Sequence, residues 1–185
     1  MKALTELKKV MRNLWARIAA FIILRRIQSI PDSPLDFGRL MEQPEDWLIM
    51  MPVEANAFDA AMMYCRELLE SLKGVRLHLV VPDEFRHWVT TSPSLKVHPF
   101  HRQDLFLGRF PRHSFLQRVR RIGPVVAVDL SPCSTPLSLS VCGLCGARVR
   151  GSLSRVDGDA VFNFLVKTRA GELGDRYRAL FAYLS

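Results

Sequence analysis

Neither a GxGxxG loop nor a GxxxxGK[ST] loop occurs anywhere in the 185 residues. That removes two glycine-built phosphate cradles, and no nucleotide or other cofactor is expected on this chain. Long apolar runs are missing from the amino-terminal segment. Its longest uncharged stretch, residues 18–24, falls well short of the ~20 apolar residues that cross a bilayer. No secretory leader is expected either, because Arg12 and Arg17 break the continuous apolar core that a leader needs and no small-residue cleavage site follows. Cysteine is scarce. Cys65, Cys133, Cys142 and Cys145 include only one close pair, Cys142 and Cys145, whereas a structural zinc site needs two such pairs or a pair of closely spaced histidines. No metal is expected. Thiols without a leader point to the cytoplasm. Internal repeats and low-complexity stretches are also absent.

What is present is a globular composition, 49% hydrophobic and 24% charged. The net charge of +8 is uneven. Residues 1–30 carry Lys2, Lys8, Lys9, Arg12, Arg17, Arg25 and Arg26 against Glu6 alone, so the remaining chain is close to neutral. Nucleic acid is therefore a question for the tail only, and none is expected as a partner. In that tail Leu4, Leu7, Val10, Met11, Leu14, Trp15, Ile18 and Ile22 recur at three- and four-residue steps, which predicts a basic amphipathic helix over 1–30. Such a helix suits the surface of an anionic membrane, and a cytoplasmic protein peripheral on the inner membrane would result. Packing of the stripe on the domain or on a partner is the other reading. Pro31 and Pro34 stop the helix, and residues 31–46 read as a linker, with a short helical turn at 37–41.

From Trp47 onward, strands alternate with helices. The run WLIMMPV reads as a buried strand, EANAF as a polar loop, residues 60–74 as a helix ending at Gly74, and VRLHLVV as a second strand. A short helix over 83–90, a strand at 95–100, a basic helix over 114–121, a strand at 125–130 and a helix over 135–145 follow. After Gly151 only a short tail is expected, with one helix over 171–184. Residues 47–185 thus predict an α/β domain of three layers, Rossmann-like, around a mostly parallel sheet of about five to seven strands. Its core should include Leu48, Met50, Leu68, Leu79, Val81, Val126, Val128 and Leu139. Ligands of such sheets bind at the carboxyl ends of the strands. Asp59 falls where the first loop enters its helix, so it is a candidate acid or base; capping that helix is the plainer role for it. Ser131 and Ser134 follow a later strand and are candidates to line the same cleft. The stretch Arg109, Arg112, His113, Arg118, Arg120, Arg121 would meet an anionic ligand or form a solvated helix face.

The letters of this unit resemble a family. LIMMPVEANAFD, a helix, then LHLVVPDEF, and further on VVAVDLSPCSTPLSLSVCGLCGARVRG, are similar to the amino-terminal half of the heptosyltransferases that build lipopolysaccharide. The likeness covers residues 46–185. It implies one half of a GT-B glycosyltransferase, the half that binds the glycolipid acceptor, with Asp59 as the general base that deprotonates the acceptor hydroxyl. It also implies that Asn56, Ser131, Ser134, Arg109, Arg112 and His113 bind substrate. The family's donor-binding domain has no counterpart here, so a separate donor-domain chain becomes a possible partner and the chain alone is expected to be inactive. Two departures stand out: the family's Gly before the acid is Phe58, and its Thr-Pro early in the helix is replaced by Met62, Met63 and Tyr64. The alternative is a non-catalytic descendant of the fold, acting as a membrane-associated binding or interaction module.

Overall fold

The structure is a computed structural model and describes residues 2–27, 46–72, 74–154, 159–169 and 171–184. The linker expected at 31–46 lies outside the described residues except for Asp46, and so does the helical turn expected at 37–41.

Strand β1 (Asp46–Met50) is buried along almost its whole length. An apolar run without alternation needs cover on both faces, which a parallel sheet with helices above and below provides. Helix α2 (Ala55–Ser71) carries the chain back to β2 (Arg76–Pro82). Gly74, at φ 85°, turns the chain into β2 in a conformation that a side chain would strain. A short 3₁₀ turn (Asp83–Trp88) leads to β3 (Leu95–Phe100). The chain then makes a small antiparallel hairpin, β4 (Leu105–Phe106) and β5 (Phe110–Pro111), and helix α3 (His113–Arg120). It returns as β6 (Val126–Asp129), α4 (Pro136–Leu144), β7 (Val149–Leu153), β8 (Phe164–Val166) and α5 (Leu173–Phe181).

The main sheet has six strands in the order β3-β2-β1-β6-β7-β8, and each of its ladders is parallel. This is the three-layer, Rossmann-like α/β architecture that the alternation predicted. The eight core residues named from the sequence are all buried. On one face α2 and α5 cover Ile49, Leu79 and Val128; on the other α3, α4 and the amino-terminal helix α1 (Lys2–Ile27) cover Leu48, Met50 and Val80. Helix α1 buries Ala19, Ala20 and Ile23 in that second core, chiefly against α4.

Two expectations need correction. The tail after Gly151 is more than a helix: Ser152 and Leu153 complete β7, and β8 adds an edge strand. The segment EANAF is not a loop, because α2 already begins at Ala55. Alanines at 55 and 57 favour helix, and Glu54 starts it.

Candidate functional site

The strand order reverses direction at β1 and β6, so the loops after these two strands, residues 51–54 and 130–135, open away from each other. In a sheet of this kind that topological switch point is where a ligand lodges. On the β1 side Met51 and Pro52 are buried, while Val53, Glu54 and Ala55 are exposed. Glu54 is the N-cap residue of α2, with extended backbone (φ −90°, ψ 130°) and no capping bond from its side chain. Its carboxylate stands exposed at the helix amino terminus. It is the acid at the loop–helix junction.

Asp59 is not. It sits inside α2, five residues past Glu54 and about 7.5 Å further along the axis, so the capping role read for it from the sequence is ruled out. Phe58 beside it is fully buried and packs on Phe85, with ring centroids 4.9 Å apart, and edge-on to Trp88. That anchoring turns Asp59 outward, onto a shallow groove of about 310 Å³ between α2 and the 3₁₀ turn, lined by Met62, Met63, Arg66, Glu67, Glu70 and Trp88 as well. Asn56 is exposed in the first turn of the same helix.

On the β6 side Ser131 and Ser134 are present at the switch point but buried. The Ser131 amide donates to the Asp129 carboxylate at 2.9 Å, a bond that shapes the turn. Thr135 caps α4 by accepting from the Ser138 amide at 3.0 Å. Tyr177 of α5 donates its hydroxyl to the Leu130 carbonyl and so ties the last helix to this loop.

The basic segment divides by role. Arg118 pairs with the nearly buried Asp104 at 3.0 Å and lies over the Phe115 ring, and Arg120 donates to the Leu144 carbonyl. Both hold structure. Arg109, Arg112 and His113 are exposed, Arg109 with its guanidinium 5.6 Å from the centre of the Trp15 ring on α1 and His113 bonded to Gln117. These residues belong to the face of the sheet covered by α1, α3 and α4, whereas Asp59 belongs to the α2 face. The sheet keeps them apart, and a single pocket holding Asp59 with these three residues does not form.

A second polar constellation lies at the opposite, amino-terminal edge of the sheet, and the sequence reading passed over it. Arg76 grips Asp46 with two bonds of 2.7 and 2.6 Å; Asp46 meets His78 Nε2 at 2.8 Å; His78 Nδ1 meets His98 Nε2 at 2.9 Å. The two imidazoles stack with centroids 5.1 Å apart. Burial, then the charges of His78, Lys96 and Arg118, push the His98 pKa down to about 4. The Arg76 hydrogen bond, working against desolvation, holds Asp46 below its ordinary range. The signal was available: Arg76 and His78, and Lys96 and His98, stand two apart on strands otherwise apolar, so each pair shares one face. Burial pushes the Cys65 thiol up to about 12 and that of Cys145 to about 11, so neither is a reactive thiolate.

No family pattern and no characterised protein sequence matches this chain. Among solved structures, the heptosyltransferase WaaC of E. coli, solved with ADP, matches with a TM-score of 0.56 at 13% sequence identity. The match covers 75% of this chain and 46% of the WaaC chain. At that identity the likeness is one of fold: this chain has the Rossmann-like architecture found in a glycosyltransferase and spans less than half the length of the enzyme it resembles.

Proposed function

We propose that the chain is the acceptor-side half of a heptosyltransferase-like glycosyltransferase, acting on a lipopolysaccharide-core glycolipid, with the nucleotide-sugar donor held by a half outside these 185 residues. The observation that carries the reading is the parallel sheet with its switch point at β1 and β6, a fold shared over 46% of a heptosyltransferase. Glycosyl transfer needs a carboxylate to take the proton of the acceptor hydroxyl as that oxygen attacks the sugar carbon and the nucleotide diphosphate departs. Two acids compete for that role. Glu54 has the position, at the junction of loop and helix; Asp59 has the resemblance.

Titration of the purified chain separates the possibilities. Binding of a deacylated, phosphorylated lipid-sugar acceptor, with no binding of ADP, is the expected result. ADP binding without acceptor binding would make this the donor side and overturn the proposal. When a donor half is supplied, Glu54→Gln should lower turnover by about 10²-fold or more if Glu54 is the base, and Asp59→Asn should do so if Asp59 is. The second reading, a non-catalytic binding module, is favoured by one observation: Phe58 fills the core where the resembling family has glycine, which fixes Asp59 within a helix. It predicts no turnover when a donor half is supplied, with Glu54 and Asp59 both intact.

A further inference from the structure

Helix α1 is apolar on more than one side. Ala19, Ala20 and Ile23 face the domain, while Val10, Leu14, Ile18, Phe21 and Ile22 are exposed, Phe21 by 59%. On a helical wheel Val10, Leu14 and Phe21 lie roughly opposite Ala19 and Ile23 at 100° per residue, so the open face is a second stripe and not the fringe of the first. A helix with apolar residues on opposed sides is normally enclosed. Among the described residues the domain covers one side only.

The hairpin β4–β5 flanks the helix. Trp15 of α1 packs edge-on against Phe110 of β5, with centroids 5.8 Å apart, so the hairpin adjoins the helix. At its tip Phe106 and Leu107 are exposed, and Leu107, the most open of the two at 67%, is held at φ 52°. A leucine in the left-handed region, extended into solvent, is a costly choice for a turn that glycine or asparagine would make freely. Arginines rim both elements. Arg17, Arg25 and Arg26 are exposed on α1, with the Arg25 guanidinium 4.7 Å from the centre of the Phe21 ring; Arg102, Arg109 and Arg112 are exposed around the hairpin.

We propose that the open face of α1 and the hairpin tip together dock the protein on an anionic lipid surface. Phe21, Leu107 and their apolar neighbours enter the boundary between headgroups and acyl chains, and the arginines meet the lipid phosphates. Charge decides against a second copy as the occupant, because joining two such faces would bring like arginine clusters together. A bilayer surface supplies the opposite charge and the apolar medium at once. The docking does not depend on which reading of the catalytic role holds.

Co-sedimentation of the full chain with vesicles tests it. The protein should sediment with phosphatidylcholine vesicles that contain phosphatidylglycerol, not with phosphatidylcholine alone, and less as salt rises. Replacing Phe21→Ser with Leu107→Ser removes two exposed side chains and should weaken partitioning about tenfold or more. Arg17→Glu with Arg25→Glu should abolish it, and circular dichroism melts establish that each variant folds. Absence of sedimentation by the unaltered protein, or equal sedimentation by the folded double-serine variant, would overturn the proposal. So would a dimer in analytical ultracentrifugation that the same serine pair dissociates, since the face would then belong to a second copy.

Discussion

In the chain Arg76–Asp46–His78–His98 each hydrogen bond decides where the next proton sits. Asp46 accepts from both Arg76 and His78, so His78 carries a proton on Nε2, and a single proton lies between its Nδ1 and His98 Nε2. Protons on both His78 Nδ1 and His98 Nε2 would break the bond between the rings. Because the His98 pKa falls from 6.5 unfolded to about 4 in the fold, the unfolded chain binds a proton across that window while the folded one does not. Stability should therefore fall as pH drops from about 6.5 toward about 4. The Asp46 contribution is present above its unfolded pKa of 3.8 and is lost at still lower pH. His98→Gln, which keeps a donor for His78, should flatten the upper part of that decline in urea midpoints recorded against pH; an unaltered slope would assign it to another group. This network was legible as paired polar residues on strands. Asp59 was misplaced because the start of its helix was read five residues too late, and the side chain that settles its orientation, Phe58, acts through packing with Phe85 and Trp88 that no local pattern announces.

Among the elements, strands β2, β3 and β6 and helices α3 and α4 followed from apolar runs and spacing to within a residue, and β1 was read three residues too long at its end. The β4–β5 hairpin and β8 did not: two strands of two residues and one of three carry too little pattern to separate from loop, and they exist because a neighbouring strand or helix pairs with them. Helix α1 was legible as a helix, but the division of its surface was not, since an apolar stripe does not state which side meets the domain. Its buried side gives a stability prediction. Ile23 is 2% exposed within the core of α4 and β1, so Ile23→Ala should cost about 2–5 kcal/mol in denaturant unfolding. Ile22→Ala, on the open side at 46% exposure, should change stability by no more than about 0.5 kcal/mol. Equal effects at the two positions would show that α1 does not lie on the domain as described.

For the molecule as a whole, the parallel sheet and its two covered faces were implied by alternation alone, because a strand–helix–strand unit of this length leaves few other ways to close a core. On the proposed reading this sheet carries the acceptor side alone. The described residues hold one switch point and no glycine-built nucleotide cradle, so the purified chain given nucleotide sugar and glycolipid should show no glycosyl transfer above background; robust turnover would mean that donor and acceptor both bind this one sheet. The placement of α1 also has a consequence for how the protein is made. Its seat is α4, and Pro136 follows Ile27 by 109 positions. At roughly 5–20 residues per second, translation takes on the order of ten seconds between the emergence of the helix and that of its seat. Throughout that interval both apolar sides of α1 are unshielded at the ribosome exit, so a nascent chain reaches lipid, or a chaperone, before it reaches its own fold.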